Sequence, residues 1–377
     1  MIIKNVRIVT LKEVIEKGYV VIENGLIKSI NKGEYIGEDK EVIDGQNKIM
    51  MPGFIDVHIH GACGKDFMDA TSEDINLIAS KLYSEGVTSF LATTLTSDFT
   101  SLKHVCEEVK KAKDTTPSLL GIHFEGPYIS KKYKGAQNED YIRKPDIKEF
   151  DELYSVSNGN IKYISLAPEL EGSLEFIKHV TDLGVTVSAG HTDATFDQVK
   201  DAIEVGLTNT THTHNAMSPH HHRNPGVVTA AMYFDDLYTE VICDGIHVSE
   251  NTIKTFYKIV GPDRFVMITD ALQIKHSGLN EFKLFGLDCV RKNNAAYLTS
   301  GPLAGSLLTM DQGLRNLKKY IKDISLIDLM KISSYNASKS LHLDNIGLIE
   351  ENRYADIVLL NDELEVCDVY KLGKKVC

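Results

Sequence analysis

Between Phe54 and Thr269 the chain repeats one pattern: a short, almost wholly apolar run, then a polar segment with apolar residues at helical spacing. The runs are Phe54 to Ile59, Val87 to Ala92, Leu119 to Phe124, Ile161 to Leu166, Val185 to Ala189, Leu207 to Thr211, Thr239 to Cys243 and Arg264 to Thr269. Amphipathic stretches such as Ser72 to Ser84, Phe196 to Val205 and Asn251 to Ile259 fill most of the intervals. Apolar runs alternating with helices are the habit of a parallel sheet with crossover helices, and eight of them favour a closed (β/α)8 barrel of the TIM type. An open doubly wound sheet is the alternative.

The chain ends read differently. Ile2 to Val9, Tyr19 to Glu23 and Leu26 to Ile30 look like strands, with Asn24-Gly25 as a hairpin signal; Ile346 to Ile349 and Asp356 to Leu360 look like strands near the other end. The expected organisation is a small β-sandwich domain from residues 1–50 and 345–377 around a barrel domain of residues 51–344. After the eighth run, a short hairpin is expected around Phe285 to Leu298, followed by helices over Leu307 to Tyr320 and Leu326 to Ser333.

Composition narrows the class. With 42% hydrophobic and 25% charged residues among 377, the chain can bury a large core, and its net charge of −12 argues against nucleic acid or an anionic membrane as partner. No apolar stretch approaches the roughly 18 residues of a membrane span, and the first residues lack the core of a signal peptide. Six scattered cysteines, none in a CxxC pair, match neither a zinc ribbon nor a disulfide framework. A cytoplasmic location is the expectation.

Ligand-type side chains stand at the ends of five of the eight runs. His58 and His60, two apart in an extended chain, face the same way; Glu125, His191 and His212 follow the third, fifth and sixth runs; Asp270 follows the eighth. Barrel enzymes assemble their active sites on that face. A single histidine at a strand end is usually structural, so the inference rests on the set. Imidazoles and carboxylates without cysteine suit Zn2+ or Fe2+, and an open coordination position would acidify a bound water. Asp270 is then placed to take the water's proton and return it to a leaving amine, against the plainer reading of an Asp that caps the next segment. In Asp244-Gly245-Ile246-His247 the histidine could donate to a polarised carbonyl, or be a structural loop histidine. His220-His221-His222 reads as a solvated loop, whereas Arg223 beside it offers a bidentate phosphate contact, with an ordinary surface arginine as the alternative.

These segments together resemble the N-acetylglucosamine-6-phosphate deacetylases of the amidohydrolase superfamily over nearly the whole chain. The resemblance is carried by Pro52-Gly53-Phe54-Ile55-Asp56-Val57-His58-Ile59-His60-Gly61, His123-Phe124-Glu125-Gly126-Pro127, Gly190-His191-Thr192, Asn215-Ala216-Met217, Asp244-Gly245-Ile246-His247, Thr269-Asp270-Ala271 and Ala304-Gly305-Ser306. It implies a metal-dependent barrel hydrolase with Glu125, His191 and His212 on the main metal and Asp270 as catalytic acid and base. It implies sugar-phosphate contacts from Ala136, Gln137, Asn215, Ala216, Arg223, His247, Leu303, Ala304 and Gly305, and a homodimer in which Arg223 reaches the neighbouring subunit's site. Because His58 and His60 are kept, one or two divalent metals per subunit are expected. Gln137 is His in some relatives, and His214 is often aromatic.

Other readings compete. Superfamily members that open cyclic amides bridge two metals with a carboxylated lysine at the end of the fourth strand; here that end is Leu166-Ala167-Pro168, and Lys162 lies at the other end. Purine deaminases share the paired histidines and the final Asp, but not the Glu125-Gly126-Pro127 segment with its phosphate contacts. The galactosamine 6-phosphate epimer is an alternative substrate. A non-catalytic scaffold is the alternative from another class, disfavoured because Glu125, His191, His212 and Asp270 are all kept.

Overall fold

The computed structural model describes residues 1–37, 41–284 and 286–377. Its centre is a sheet of eight parallel strands: Phe54–Ile59, Val87–Thr93, Leu119–Glu125, Ile161–Leu166, Thr186–Ala189, Leu207–Thr210, Tyr238–Ile242 and Phe265–Ile268, each paired with its neighbour in sequence. The last strand closes on the first: Asp270 N donates to His58 O, His60 N donates to Ala271 O, and Ile59 bridges Ala271 in parallel. The expected (β/α)8 barrel is thus present, and all eight runs form strands within one or two residues of their sequence limits.

Helices fill the crossovers because their ends are specified locally. Thr71 caps Ser72–Leu82 and Thr195 caps Phe196–Glu204, each in a reciprocal capping box with Asp74 or Gln198. Asp98 and Ser249 cap Phe99–Ala112 and Glu250–Val260. Gly86 returns the chain to the second barrel strand at φ 83°, where an added Cβ would lie 2.7 Å from the Phe54 ring. The apolar helix faces and outward strand residues then merge into one large core.

Strands from both chain ends share a second sheet, which holds Ile2–Val9, Val14–Glu23, Leu26–Lys32, Val42–Asp44, Ile49–Pro52, Ile357–Leu360, Val366–Lys371 and Lys374–Lys375. Its free edge meets the chain again, as Leu26 bridges Tyr354 and Ile27 N donates to Arg353 O, so the sheet wraps its own core of Ile3, Val20, Ile27, Ile357 and Leu359. Ile49–Pro52 carries this sheet just beyond residue 50. The ion pair of Lys371 with Asp356, 2.7 Å and buried, brings the lysine within 3.4 Å of Ser89 on the second barrel strand, joining the sheet to the barrel.

Ile346 to Ile349 is not a strand. Gly347 takes φ 82°, and Ile346, Leu348 and Ile349 enter three different cores, so the run is apolar without being extended. The expected hairpin is part of a four-stranded antiparallel sheet of Glu281–Leu284, Leu287–Lys292, Ala295–Leu298 and Leu303–Ser306; Phe285 lies outside the described residues. The following helix starts at Met310, and Leu326–Met330 continues through a wider turn, Lys331–Tyr335, into Asn336–Ser340. Among the described residues, no helix is long and apolar enough to cross a membrane.

A buried ion pair ties the first crossover to the segment after the eighth strand. Glu85 meets Lys275 at 3.0 Å and His276 at 2.6 Å, and accepts from Met310 N. Burial opposes the Glu85 charge, but Lys275 and His276 hold its carboxyl below the usual range. Replacing Lys275 with Met should cost about 3 kcal/mol, read as a lower urea midpoint, because a buried carboxylate loses its main counter-charge. The pair's contribution is complete above the ordinary glutamate value of 4.5 and lost as pH falls through the lower folded value. The loss in the variant should therefore shrink in acid.

Candidate metal centre and cleft

The strand ends bring the predicted ligand set together. Glu125 stands between two groups: its Oε1 is 3.1 Å from His191 Nε2, 3.0 Å from His212 Nε2 and 3.4 Å from His58 Nε2, and its Oε2 is 3.3 Å from His60 Nε2. In each of the trios His58, His60, Glu125 and Glu125, His191, His212, the ligand atoms lie within 4.8 Å of one another. Asp270 Oδ1 closes the far side, 3.2 Å from His60 Nε2 and 3.6 Å from His58 Nε2.

Local backbone aims these groups inward. His191, His212 and Asp270, each just past a strand, take left-handed φ values of 48°, 31° and 48°, which a non-glycine residue adopts only where its surroundings hold it. His191 Nδ1 donates to Tyr133 O at 2.9 Å, which leaves Nε2 for a metal. Gly135 sits against the same ring at φ 56°, where a Cβ would come within 3.2 Å of it. Among the described residues, His58 Nε2 is buried without a hydrogen-bond partner, a costly state for a polar atom unless something else fills its lone pair. The nitrogen and oxygen donor set, with no thiolate, fits Zn2+ or Fe2+.

The electrostatics agree with that fit. Burial opposes charge on His58 and His60, yet Glu125 and Asp270 outweigh it, leaving His58 well above the ordinary imidazole range and His60 raised to about 9. Both carboxylates are depressed despite their burial, Glu125 by His58, His191 and His212 and Asp270 by His60 and His58.

The cleft above is about 330 Å3 in volume. It brings together His60, Glu125, Ala136, Gln137, His191, His212, Asn215, Ala216, His247, Asp270, Leu303, Ala304 and Gly305 from the sequence reading; His58 lies buried at the centre itself. Leu303–Ser306 is held there because Ser306 N donates to Asp270 O and Leu272 N to Ser306 O. Asn215 and Ala216 are placed by Thr192 N donating to Ala216 O. Gln137 spends its amide inside the protein, donating to Glu125 Oε2 at 2.6 Å and accepting from Thr96 N at 2.7 Å. His247 donates from Nδ1 to Asp244 at 2.6 Å while its Nε2 has no partner among the described residues. Burial opposes the His247 charge, but Asp244 raises its pKa above the ordinary value.

Arg223 is not brought to this cleft within one chain. It is exposed on a loop shaped by the neighbouring histidines: His220 contacts Thr229, and His221 Nδ1 accepts from the backbone of Arg223 and Asn224. Among the described residues, none of these histidines joins a group able to hold a metal. His214 packs edge-on to Phe256 away from the cleft, its pKa lowered to about 4 by burial. Sequence reasoning missed Lys132, Tyr133, Leu95 and Leu284, which line the cleft, and Glu240, Tyr163 and His123 beneath it. Glu240 alone left a trace, as a charge inside the apolar run Thr239 to Cys243.

A closed eight-stranded barrel with buried histidines and carboxylates at its strand ends defines the class, that of metal-dependent barrel hydrolases. The chain belongs to the Amidohydrolase family, whose model matches residues 49–376. It is 37% identical to the N-acetylglucosamine-6-phosphate deacetylase of Lysinibacillus sphaericus, over 99% of this chain and 97% of the relative, and 37% identical to that of Bacillus subtilis (strain 168), over 97% and 94%. The crystal structure of N-acetylglucosamine-6-phosphate deacetylase from Thermotoga maritima superposes with a TM-score of 0.91 at 37% identity, covering 100% of this chain and 99% of that one.

Metal uptake should compete with protonation of His58 and His60, which Glu125 and Asp270 favour against burial. Titration of metal-stripped protein with Zn2+ in buffers of different ionisation enthalpy should show proton release, and apparent affinity should climb with pH towards about 9, the His60 value. Uptake without proton release would contradict the ligand assignment.

Proposed function

We propose that this chain hydrolyses the acetamide of N-acetylglucosamine 6-phosphate to glucosamine 6-phosphate and acetate, in amino-sugar catabolism or cell-wall sugar recycling. The observation that supports this best is the meeting of Glu125, His191, His212, Asp270 and His247 in one cleft, in a chain similar along its length to deacetylases of that substrate. Glu125, His191 and His212 would hold a divalent cation, Zn2+ or Fe2+, and His58 and His60 with Glu125 a second. Such a cation supplies Lewis acidity and a water acidic enough to attack near neutral pH.

The chain's own groups complete the chemistry. His247, whose charged form Asp244 favours, would donate from Nε2 to the acetamide oxygen and stabilise the charge that grows there during attack. Asp270 is an ionised carboxylate at the cleft floor and takes the proton of the attacking water. As the carbon–nitrogen bond breaks, Asp270 returns that proton to the sugar nitrogen, so the amine leaves neutral, and the acetic acid left behind gives its remaining proton to solvent to become acetate. The backbone of Asn215, Ala216 and Leu303 to Gly305 lines the space for the sugar, and Leu95 and Leu284 keep part of the wall dry. Arg223, exposed and outside its own cleft, would reach the phosphate in a second copy's cleft, which makes the working form a homodimer. A cytoplasmic enzyme acting on this sugar phosphate, with neither nucleic acid nor membrane as partner, completes the reading.

Asp270→Asn should lower kcat by about 10²–10⁴-fold in metal-loaded protein with little change in KM, measured as acetate release. Near-wild-type turnover would remove Asp270 from its role. Arg223→Ala should raise KM for the phosphorylated sugar and leave unphosphorylated N-acetylglucosamine unaffected. Assay beside the galactosamine epimer reads the stereochemical preference directly, and no acetate from any of the three would sink the proposed activity.

A further inference from the structure

Beneath the cleft, the seventh barrel strand turns one carboxylate into the barrel. Glu240 is fully buried. Its Oε2 lies 3.2 Å from His58 Nδ1 and accepts from the His212 backbone N at 3.3 Å, and its Oε1 accepts the Tyr163 hydroxyl. Among the described residues, no lysine or arginine pairs with it; His58 is its ion-pair partner. An ionised carboxylate in such a place is strongly disfavoured unless positive charge stands close by. The ring between Glu240 and the ligand cluster is that of His58, whose far nitrogen, Nε2, faces Glu125 Oε1 at 3.4 Å and Asp270 Oδ1 at 3.6 Å without a hydrogen bond.

We propose that Glu240 is a positioning residue of the metal centre, which fixes the His58 ring with its proton on Nδ1 and its Nε2 lone pair turned to the half-site shared with His60 and Glu125. This rests on the reading of that cluster as a metal centre. Glu240 also touches the other half-site, because the amide it accepts from is that of His212, and so it aligns the first and sixth strand ends against one carboxylate. Its charge matters beyond its geometry. Glu125, Asp270 and Glu240 place three negative charges around neutral imidazoles, so one divalent cation leaves the group net negative and a second makes it net positive. Tyr163 serves a lesser role by anchoring Oε1 from the fourth strand.

The test uses full-length protein stripped with chelator and titrated with Zn2+, with bound metal counted by mass spectrometry. Glu240→Gln keeps a carbonyl oxygen for the His58 N–H but removes the charge; Tyr163→Phe removes the Oε1 anchor and keeps both the charge and the His58 contact. The unaltered protein should take up two equivalents. Glu240→Gln should bind the first as before and the second about 10–100-fold more weakly, with kcat falling and KM unchanged, whereas Tyr163→Phe should retain both. A Glu240→Gln protein that holds two equivalents at wild-type affinity, or that weakens both equally, overturns the proposal. If that variant does not fold, Glu240→Asp carries the test by withdrawing the carboxylate from His58, and an unaltered second affinity overturns it in the same way. No uptake by the unaltered protein would instead overturn the metal-centre reading itself.

Discussion

Three carboxylates, Glu125, Asp270 and Glu240, lie buried within reach of one imidazole, that of His58, and that crowding is the constraint to which the rest of the barrel answers. Anions this close repel one another in a medium too poor in water to screen them, so the arrangement persists only if positive charge sits among them. The carboxylates push His58 and His60 above the ordinary imidazole range against burial, and the rings of His58, His191 and His212 hold Glu125 below the usual carboxylate range despite its burial. A divalent cation would supply the positive charge through the Nε2 lone pairs of several rings at once.

Rigid support follows from the same need. Beneath the cluster the barrel interior is polar as well as apolar: His123 contacts Ser165 at 2.7 Å, and Thr211 joins both Ser165 and Ser188 at 2.6 Å. Burial and the neighbouring positive rings push His123 well below the ordinary imidazole range, so it stays neutral beside the centre and competes for none of the negative charge. The left-handed backbone at His191, His212 and Asp270 costs on the order of 1–3 kcal/mol per residue, and the paired strands before each of them keep it from relaxing.

Much of this was legible in the sequence because a ligand at a strand end is adjacent to an apolar run that announces the strand. Phe54 to Ile59 locates His58 and His60, and Phe265–Ile268 locates Asp270, without knowledge of any contact. Groups inside the runs were not legible in that way: Tyr163 reads as an ordinary strand residue, and Glu240 as one polar interruption, until the barrel closes and sets Glu240 against His58 and Tyr163 against Glu240. Gln137 shows a related limit. Its place by the cleft follows from the resemblance, but its bond to Glu125 depends on a loop that folds back over Thr96. Ile346 to Ile349 misled because apolar spacing reports burial rather than extension, and here three separate cores claim the side chains.

The split between strand ends and loops also divides the labour. Groups that would handle charge during the reaction stand mostly at or just past the ends of paired strands, where a shift of a few tenths of an ångström is resisted by several hydrogen bonds at once; His247, on the loop after the seventh strand, is held instead by Asp244. Groups that would recognise the sugar and its phosphate stand on loops, Lys131 to Gln137, Asn215 to Arg223 and the four-stranded flap after the eighth strand, whose geometry each neighbour adjusts locally. His221 illustrates this, because its ring nitrogen accepts two backbone amides and so shapes the turn that presents Arg223. A change of substrate on this scaffold can therefore proceed through the loops alone, whereas a change at Glu125 or Glu240 disturbs charge balance and ligand geometry together.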